Sequence, residues 1–269
     1  MGWHYTVAAQ SDVGAAKQVN QDSLTVKVAN TAFGEAAISV LCDGMGGLEQ
    51  GEIASAVVVR AYEQWFLKAL PQLLEAGFTQ ERLEEEWEKI ALDCNARILD
   101  YSMPRGAAMG TTLTVMLLIG GQYYIMHVGD CRVYVMGNGM EQLTTDQTYV
   151  AREVALGHMT PEQAQTDLRR NVLLQCIGTA NSVTPDFMYG DIYQGDTFLM
   201  CSDGFRHKIS DMEMYDYCHE RLINIKWGTD NRQENSNIMS SNLKYLINAN
   251  MERGEKDNIS AIMIKVMED

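Results

Sequence analysis

The sequence predicts an α+β chain in which helices pack on the outside of antiparallel sheets. Three observations carry this. Apolar runs of strand length come in groups, within 4–42, 111–136 and 184–201. Two long stretches of helical periodicity separate the first group from the second. Gly-Gly and Asn-Gly pairs follow neighbouring runs closely enough to turn the chain back in a hairpin.

In chain order, alternating or continuous apolar runs predict strands at 4–9, 23–28 and 36–42. A helix over 50–69 follows a Gly-rich loop and stops before Pro71, which cannot donate to a helical carbonyl. A second helix over 80–101 sets Leu83, Trp87, Ile90, Cys94 and Ile98 on one stripe, while Glu81, Glu84, Glu85, Glu86 and Glu88 cover a wet face. Strands follow at 111–119 and 122–128, joined through Gly120-Gly121, and at 131–136 before Asn138-Gly139, a pair that supplies positive φ at a turn. Thr160-Pro161-Glu162-Gln163 announces a helix by N-cap, first-turn proline and capping-box glutamine. Strands at 184–190 and 196–201 precede a helix over 211–223. The Asn- and Ser-rich stretch 224–242 reads as a polar loop before a last helix at 243–252 and a last strand at 258–266. No repeat and no Pro/Ser-rich linker divides the chain, so 1–269 is expected to form one domain.

The 269 residues, 46% of them hydrophobic, suffice for a sizeable core. The 36 acidic against 21 basic side chains leave a net charge of −15, which argues against nucleic acid and anionic membrane surfaces as partners. The most apolar stretch, Leu113 to Ile119, is far below the roughly 20 residues of a spanning helix. Met1-Gly2-Trp3-His4-Tyr5 begins no secretory signal. Six cysteines without metal or paired spacing read as buried thiols in a reducing compartment, so the cytoplasm is expected.

The informative pattern is a strand that runs straight into aspartate and a tight turn. It occurs at Leu41-Cys42-Asp43-Gly44, at His127-Val128-Gly129-Asp130 and at Met200-Cys201-Ser202-Asp203-Gly204. Asp257 does the reverse and opens the last strand. Asp-Gly pairs are ordinary turn formers. Strands of one sheet, however, end along a common rim, and carboxylates gathered there repel one another unless protonated or bridged by cations. Oxygen-only ligands with glycine carbonyls beside them suit Mg²⁺ or Mn²⁺ better than zinc.

In these residues the chain resembles the metal-dependent protein serine/threonine phosphatases, the PPM or type 2C family, in their compact bacterial form. The resemblance runs through Ser11-Asp12-Val13-Gly14, Asn20-Gln21-Asp22, Asp43-Gly44-Met45-Gly46-Gly47 and Gly51-Glu52-Ile53-Ala54-Ser55. It continues in Gly110-Thr111-Thr112-Leu113-Thr114, His127-Val128-Gly129-Asp130-Cys131-Arg132, Leu143-Thr144-Thr145-Asp146, Cys201-Ser202-Asp203-Gly204 and Asp257-Asn258-Ile259-Ser260. It implies a four-layer α/β/β/α sandwich with a metal site in the cleft between two antiparallel sheets. Asp43 would bridge two ions, Mg²⁺ or Mn²⁺, with Asp203 and Asp257 completing one site and the Gly44 carbonyl serving the other. Asp130, with Asp203, matches the position of a third ion; Asp22 and Gln21 would stand behind the ligands, and Lys17 would hold substrate phosphate.

The implied reaction is hydrolysis of phosphoserine and phosphothreonine in proteins, by water that two cations about 3.5–4 Å apart activate for in-line attack on phosphorus. The implied partners are phosphorylated proteins and, as counterpart, a bacterial Ser/Thr kinase. Residues 144–178 resemble the flap beside the active site and are expected to touch protein substrates.

Four positions depart from the pattern. Lys17 stands where arginine is usual, keeping the charge but losing the bidentate fork. Gln21 replaces a frequent glutamate. Met45 stands where animal relatives carry histidine, which leaves water as the proton source for the leaving group. Cys131 replaces serine, a packing change. Among the histidines, His127 reads as a hydrogen-bonded core residue and His158 as a bystander, while His207 has no assignment. Glu52 reads as a carboxylate favoured at a helix start.

Lys17 and Gln21 also leave open an alternative, a regulatory or phosphoprotein-binding member of the same fold with weak turnover. A nucleotide-binding glycine loop at Asp43-Gly44-Met45-Gly46-Gly47 fits poorly, having neither GxGxxG nor GK[ST] spacing.

Overall fold

A computed structural model describes residues 2–46, 50–106, 108–222, 225–226 and 229–268. Its strands are β1 (Trp3–Asp12), β2 (Ser23–Thr31), β3 (Gly34–Cys42), β4 (Gly44–Gly46), β5 (Met109–Thr111), β6 (Leu113–Ile119), β7 (Gln122–Val128), β8 (Arg132–Met136), β9 (Met140–Gln142), β10 (Asp186–Asp191), β11 (Thr197–Cys201) and β12 (Ile259–Glu268). Its helices are α1 (Gly51–Glu75), α2 (Gln80–Ser102), α3 (Tyr149–Ala155), α4 (Pro161–Thr166), α5 (Asp203–Arg206), α6 (Asp211–Cys218) and α7 (Arg232–Glu252). Two five-stranded sheets, β1-β12-β11-β8-β9 and β10-β7-β6-β3-β2, are antiparallel throughout, and β4-β5 form a small third ladder.

Three apolar cores separate four layers. The period of two along each central strand sends alternate residues into different cores. On β3 and β6, Ile38, Val40, Val115 and Leu117 pack under α1 and α2, while Ala37, Leu41, Met116 and Leu118 face the other sheet. On β11 and β12, Leu199, Ala261 and Met263 pack under α6 and α7, while Phe198, Met200, Ile262 and Ile264 face inward. Burial on both faces is why these strands read as continuous apolar runs. The α+β sandwich of two antiparallel sheets flanked by helices is thus the fold expected from the sequence.

Each expected strand is present, and the helix expected over 211–223 ends at Cys218. The helix expected to stop before Pro71 continues to Glu75, because Leu70, Leu73 and Leu74 are buried on its core side. The proline and Leu67, whose carbonyl loses its partner, are exposed, so water can serve that carbonyl. The stretch expected as a loop up to 242 is helical from Arg232 onward. Its polar residues hid the stripe Asn235, Met239, Leu243 and Leu246; the buried Asn235 donates from Nδ2 to Lys226 O at 2.7 Å, and the half-buried Ser236 donates from Oγ to Val7 O at 2.7 Å. Residues 223, 224, 227 and 228, in the expected helix end and loop, lie outside the described residues, as does Gly47. Asn138-Gly139 does close a hairpin, with Met136 opposite Met140, but neither residue has positive φ; Gly137 N donates to Gly139 O instead, at 3.0 Å.

The hairpin at Gly120-Gly121 does use positive φ at both residues. The capping box at Thr160 and Gln163 is present. Among the described residues, no helix is long and apolar enough to cross a membrane. All six cysteines are buried and free.

Candidate metal centre

The strand-to-aspartate junctions are built by hydrogen bonds that the neighbouring motif blocks supply. Asp43 follows β3, and its backbone is pinned on both sides: its N donates to Thr112 Oγ1 at 2.8 Å, and its O accepts from Thr112 N at 2.9 Å and Thr111 Oγ1 at 3.0 Å. Thr112 is also where the single strand expected over 111–119 divides into β5 and β6. Gly44 N donates to Gln21 O at 3.2 Å. A Cβ on Gly44 would lie 2.3 Å from Gly51 O and 2.5 Å from Gln21 O, so only glycine fits there.

The ends of β11 and β12 are stitched through Ser202 and Ser260. Each backbone N donates across, Ser202 N to Ser260 O and Ser260 N to Ser202 Oγ, both at 3.0 Å. Asp203 follows directly. Beside Asp257, the buried Asn258 amide donates to Val13 O at 2.9 Å and Val19 O at 3.2 Å, and its Oδ1 accepts from Gln21 N at 3.0 Å. That ties the loop 13–21, which carries Lys17, to the start of β12. Gly14 in this loop has φ +76°, and a Cβ there would lie 2.2 Å from Asp257 O.

The carboxylates act on one another. Burial pushes the Asp43 carboxyl well above the usual range, and the fields of Asp22, Asp203, Asp130 and Asp257 add to it. Burial raises Asp22 to about 7, helped by the charges of Asp203 and Asp257, against hydroxyls of Ser260 and Ser202 that lower it. Asp130 is raised to about 7 by burial and Asp203. Asp203 is raised by burial and Asp257, against the lowering influence of His207 and Arg206. Burial alone would lower the Lys17 ammonium, but its contact with Asp257 Oδ1 at 3.0 Å and the fields of Asp43 and Asp203 outweigh that and raise it.

Asp43, Asp203, Asp257, Asp130, Asp22 and Lys17 therefore share one electrostatic site. Among the described residues, no three acidic, histidine or cysteine side chains converge on a single point at chelating distance. The donor set nevertheless fits hard divalent ions. Asp203 Oδ1 and both Asp22 oxygens are buried without an aligned hydrogen bond, and the mutual repulsion is of the kind that a cation relieves. Gln21 enters through its backbone, which also accepts from Ser55 Oγ at 2.6 Å.

Several contributors were not legible beforehand. His207 Nε2 lies 3.6 Å from Asp203 Oδ2 and its Nδ1 3.3 Å from Glu255 Oε2. Glu255 Oε1 accepts from Lys256 N at 2.7 Å and Asp257 N at 2.9 Å, so this histidine and glutamate link the two aspartate turns. Arg206, on α5, reaches Asp130 and Asp146. The only sequence signal was proximity, two to four positions from Asp203 or Asp257. His127 is fully buried between Thr114 Oγ1 and Gly129 O, both at 2.9 Å, and burial lowers its pKa. His158 is exposed and pairs with Glu153. Cys131 Sγ lies in the core, 3.3 Å from Thr112 Oγ1.

The family model for protein phosphatase 2C matches residues 13–245. Serine/threonine phosphatase stp of Listeria innocua is 30% identical over 232 residues, covering 85% of this chain and 84% of that protein. Serine/threonine protein phosphatase PstP of Mycobacterium tuberculosis is 31% identical over 213 residues and 76% of this chain, and the chain spans 37% of its length. A crystal structure of the catalytic domain of PstP with two manganese ions superposes with a TM-score of 0.75 at 26% identity, over 99% of this chain and 100% of that one.

Proposed function

Since the chain belongs to the protein phosphatase 2C family, we propose that it is a metal-dependent phosphatase that hydrolyses phosphoserine and phosphothreonine in proteins. One observation carries the reading: aspartates from the ends of strands in both sheets raise one another's pKa around a single lysine. Asp43, Asp203 and Asp257, with the Gly44 carbonyl, would hold two divalent ions, Mg²⁺ or Mn²⁺. Bound there, such a pair lowers the pKa of the attacking water and screens the charge of the phosphate.

The chain's own residues do the rest. Thr111 and Thr112 fix the Asp43 backbone, and Glu255 and His207 hold the turns of Asp257 and Asp203. Lys17 is 42% exposed, so its ammonium can leave Asp257 for a phosphate oxygen as a point charge without a bidentate fork. Asp22, buried behind them, adds negative charge that favours cations in front of it. Met45 has no proton to give, so water protonates the departing seryl or threonyl oxygen. Residues 1–269 would act as one domain, with 144–178 as a flap that touches the protein substrate. The similarity to bacterial phosphatases supports a Ser/Thr kinase as the source of its substrates, in the cytoplasm.

The test is phosphate release from a phosphothreonine peptide with Mn²⁺. EDTA abolishes it, and Asp43→Asn lowers kcat/KM on the order of 10³-fold or more, the several kcal/mol expected of metal-stabilised charge. Turnover that survives EDTA refutes the mechanism. A manganese-loaded chain that binds the peptide without cleaving it would instead favour a binding module.

A further inference from the structure

Arg206 lies one turn after Asp203, and its side chain is 15% exposed. Its Nη2 donates to the Asp130 backbone O at 3.2 Å and stands 3.9 Å from Asp130 Oδ2 and 3.4 Å from Asp146 Oδ2. Asp146 is itself gripped by Arg132, Nε to Oδ1 and Nη2 to Oδ2, both at 2.8 Å. The side chains of Asp130 and Asp146 and the guanidinium groups of Arg132 and Arg206 thus meet in one corner beside Asp203. Arg206 also offsets the effect of burial on both Asp130 and Asp203. A guanidinium keeps its charge at any pH at which the protein is folded, so this cation is permanent.

The resemblance to bacterial phosphatases placed a third ion at Asp130 and Asp203, and this corner does not suit one. A divalent ion there would face a guanidinium already held by the Asp130 carbonyl and Asp146 Oδ2, with Asp130 Oδ2 3.9 Å away. Admitting it requires Arg206 to release Asp130 and Asp146 and to take its charge into water. We propose that the Arg206 guanidinium stands in for a third divalent ion at the Asp130 corner, so that the chain saturates with two ions. The inference rests on the two-ion reading above. It gives the corner a fixed cation that joins the Asp203 turn to Asp146 at the root of the flap segment, whatever the metal concentration.

The test is calorimetric titration of the full chain with Mn²⁺, paired with anomalous density in manganese-soaked crystals. The wild-type chain takes two ions at the aspartates, and Asp130→Asn leaves that number unchanged. Arg206→Gln gains a third, weaker ion between Asp130 and Asp203, which the double variant with Asp130→Asn loses. A third peak at that corner in the wild type, or loss of an ion in Asp130→Asn alone, overturns the proposal while leaving the two-ion reading intact. An Arg206→Gln chain that still stops at two also overturns it, because the arginine is then not what excludes the ion. Fewer than two ions in the wild type refutes the two-ion reading, and this inference with it. If the arginine variant does not fold, a third peak in the wild type or an ion lost in Asp130→Asn still overturns the proposal.

Discussion

Replacing Asn258 with alanine tests how the site is assembled. The side chain is 3% exposed and makes three hydrogen bonds, donating to Val13 O and Val19 O and accepting from Gln21 N. Each such bond contributes about 1 kcal/mol net, and Val19 is exposed enough for water to replace its share, so the expected loss is about 2–3 kcal/mol. The functional loss follows from what the bonds hold. The loop 13–21 presents Lys17 to Asp257, and Gln21 O receives Gly44 N beside Asp43. On the proposed reading, loosening it moves together the cation that would meet substrate and the turn that would hold metal. Urea unfolding in EDTA reads stability without the contribution of bound metal, and the Mn²⁺ concentration for half-maximal activity reads the site. We expect the stability loss above, a higher manganese midpoint and at least a tenfold lower kcat/KM, with Asn258→Asp intermediate because it keeps the acceptor for Gln21 N. An alanine variant within about 0.5 kcal/mol of wild type, with an unchanged midpoint, would refute the claim that this side chain organises the loop.

Two further outcomes concern pH. Asp22 and Asp130 have folded pKa values raised to about 7, above those of the unfolded chain, so their protonation stabilises the metal-free fold at low pH and is lost as pH rises through 7. The melting temperature in EDTA should fall between pH 5 and 8 and stay level with saturating Mn²⁺; a rise in EDTA over that window sinks the reasoning. Lys265, 2% exposed, is lowered from 10.5 to about 8 by burial despite Asp196, so the cost of burying its charge, on the order of 3 kcal/mol, is fully present below pH 8 and vanishes towards pH 10.5. Wild type should therefore gain stability on Lys265→Met as pH rises from 8 to 10 in urea unfolding, and a constant difference counts against it.

How much was legible in the sequence depended on where the signal lay. Strands buried on both faces announced themselves as apolar runs, and the capping box at Thr160 needed only its own four residues. The first half of helix α7, 232–242, did not, because Asn235 and Ser236 are polar residues whose partners, Lys226 and Val7, lie outside the helix. Pro71 misled for the opposite reason, since a local rule was overridden by the burial of Leu70, Leu73 and Leu74. The aspartates stood out because each ends or opens a strand. His207, Glu255 and Arg206 did not, because their roles are set by tertiary contacts of their side chains and no spacing encodes those contacts.

Those contacts give the acidic centre its organisation. Carboxylates that raise one another's pKa would push the strand ends apart if nothing opposed them. Here cations stand on two sides: Lys17 on Asp257, and Arg206 between Asp130 and Asp146. The two differ in freedom. Lys17 is 42% exposed at the end of a flexible stem and can be drawn to an incoming anion, whereas Arg206 is 15% exposed and held by a backbone carbonyl as well as carboxylates. A movable charge on one side suits substrate binding, and an immovable one on the other suits holding Asp130 and Asp146 in place. Net −15 is thus not a uniform field at this site. On the proposed reading, an anionic substrate would meet the lysine first, leaving the carboxylates behind it to metal ions.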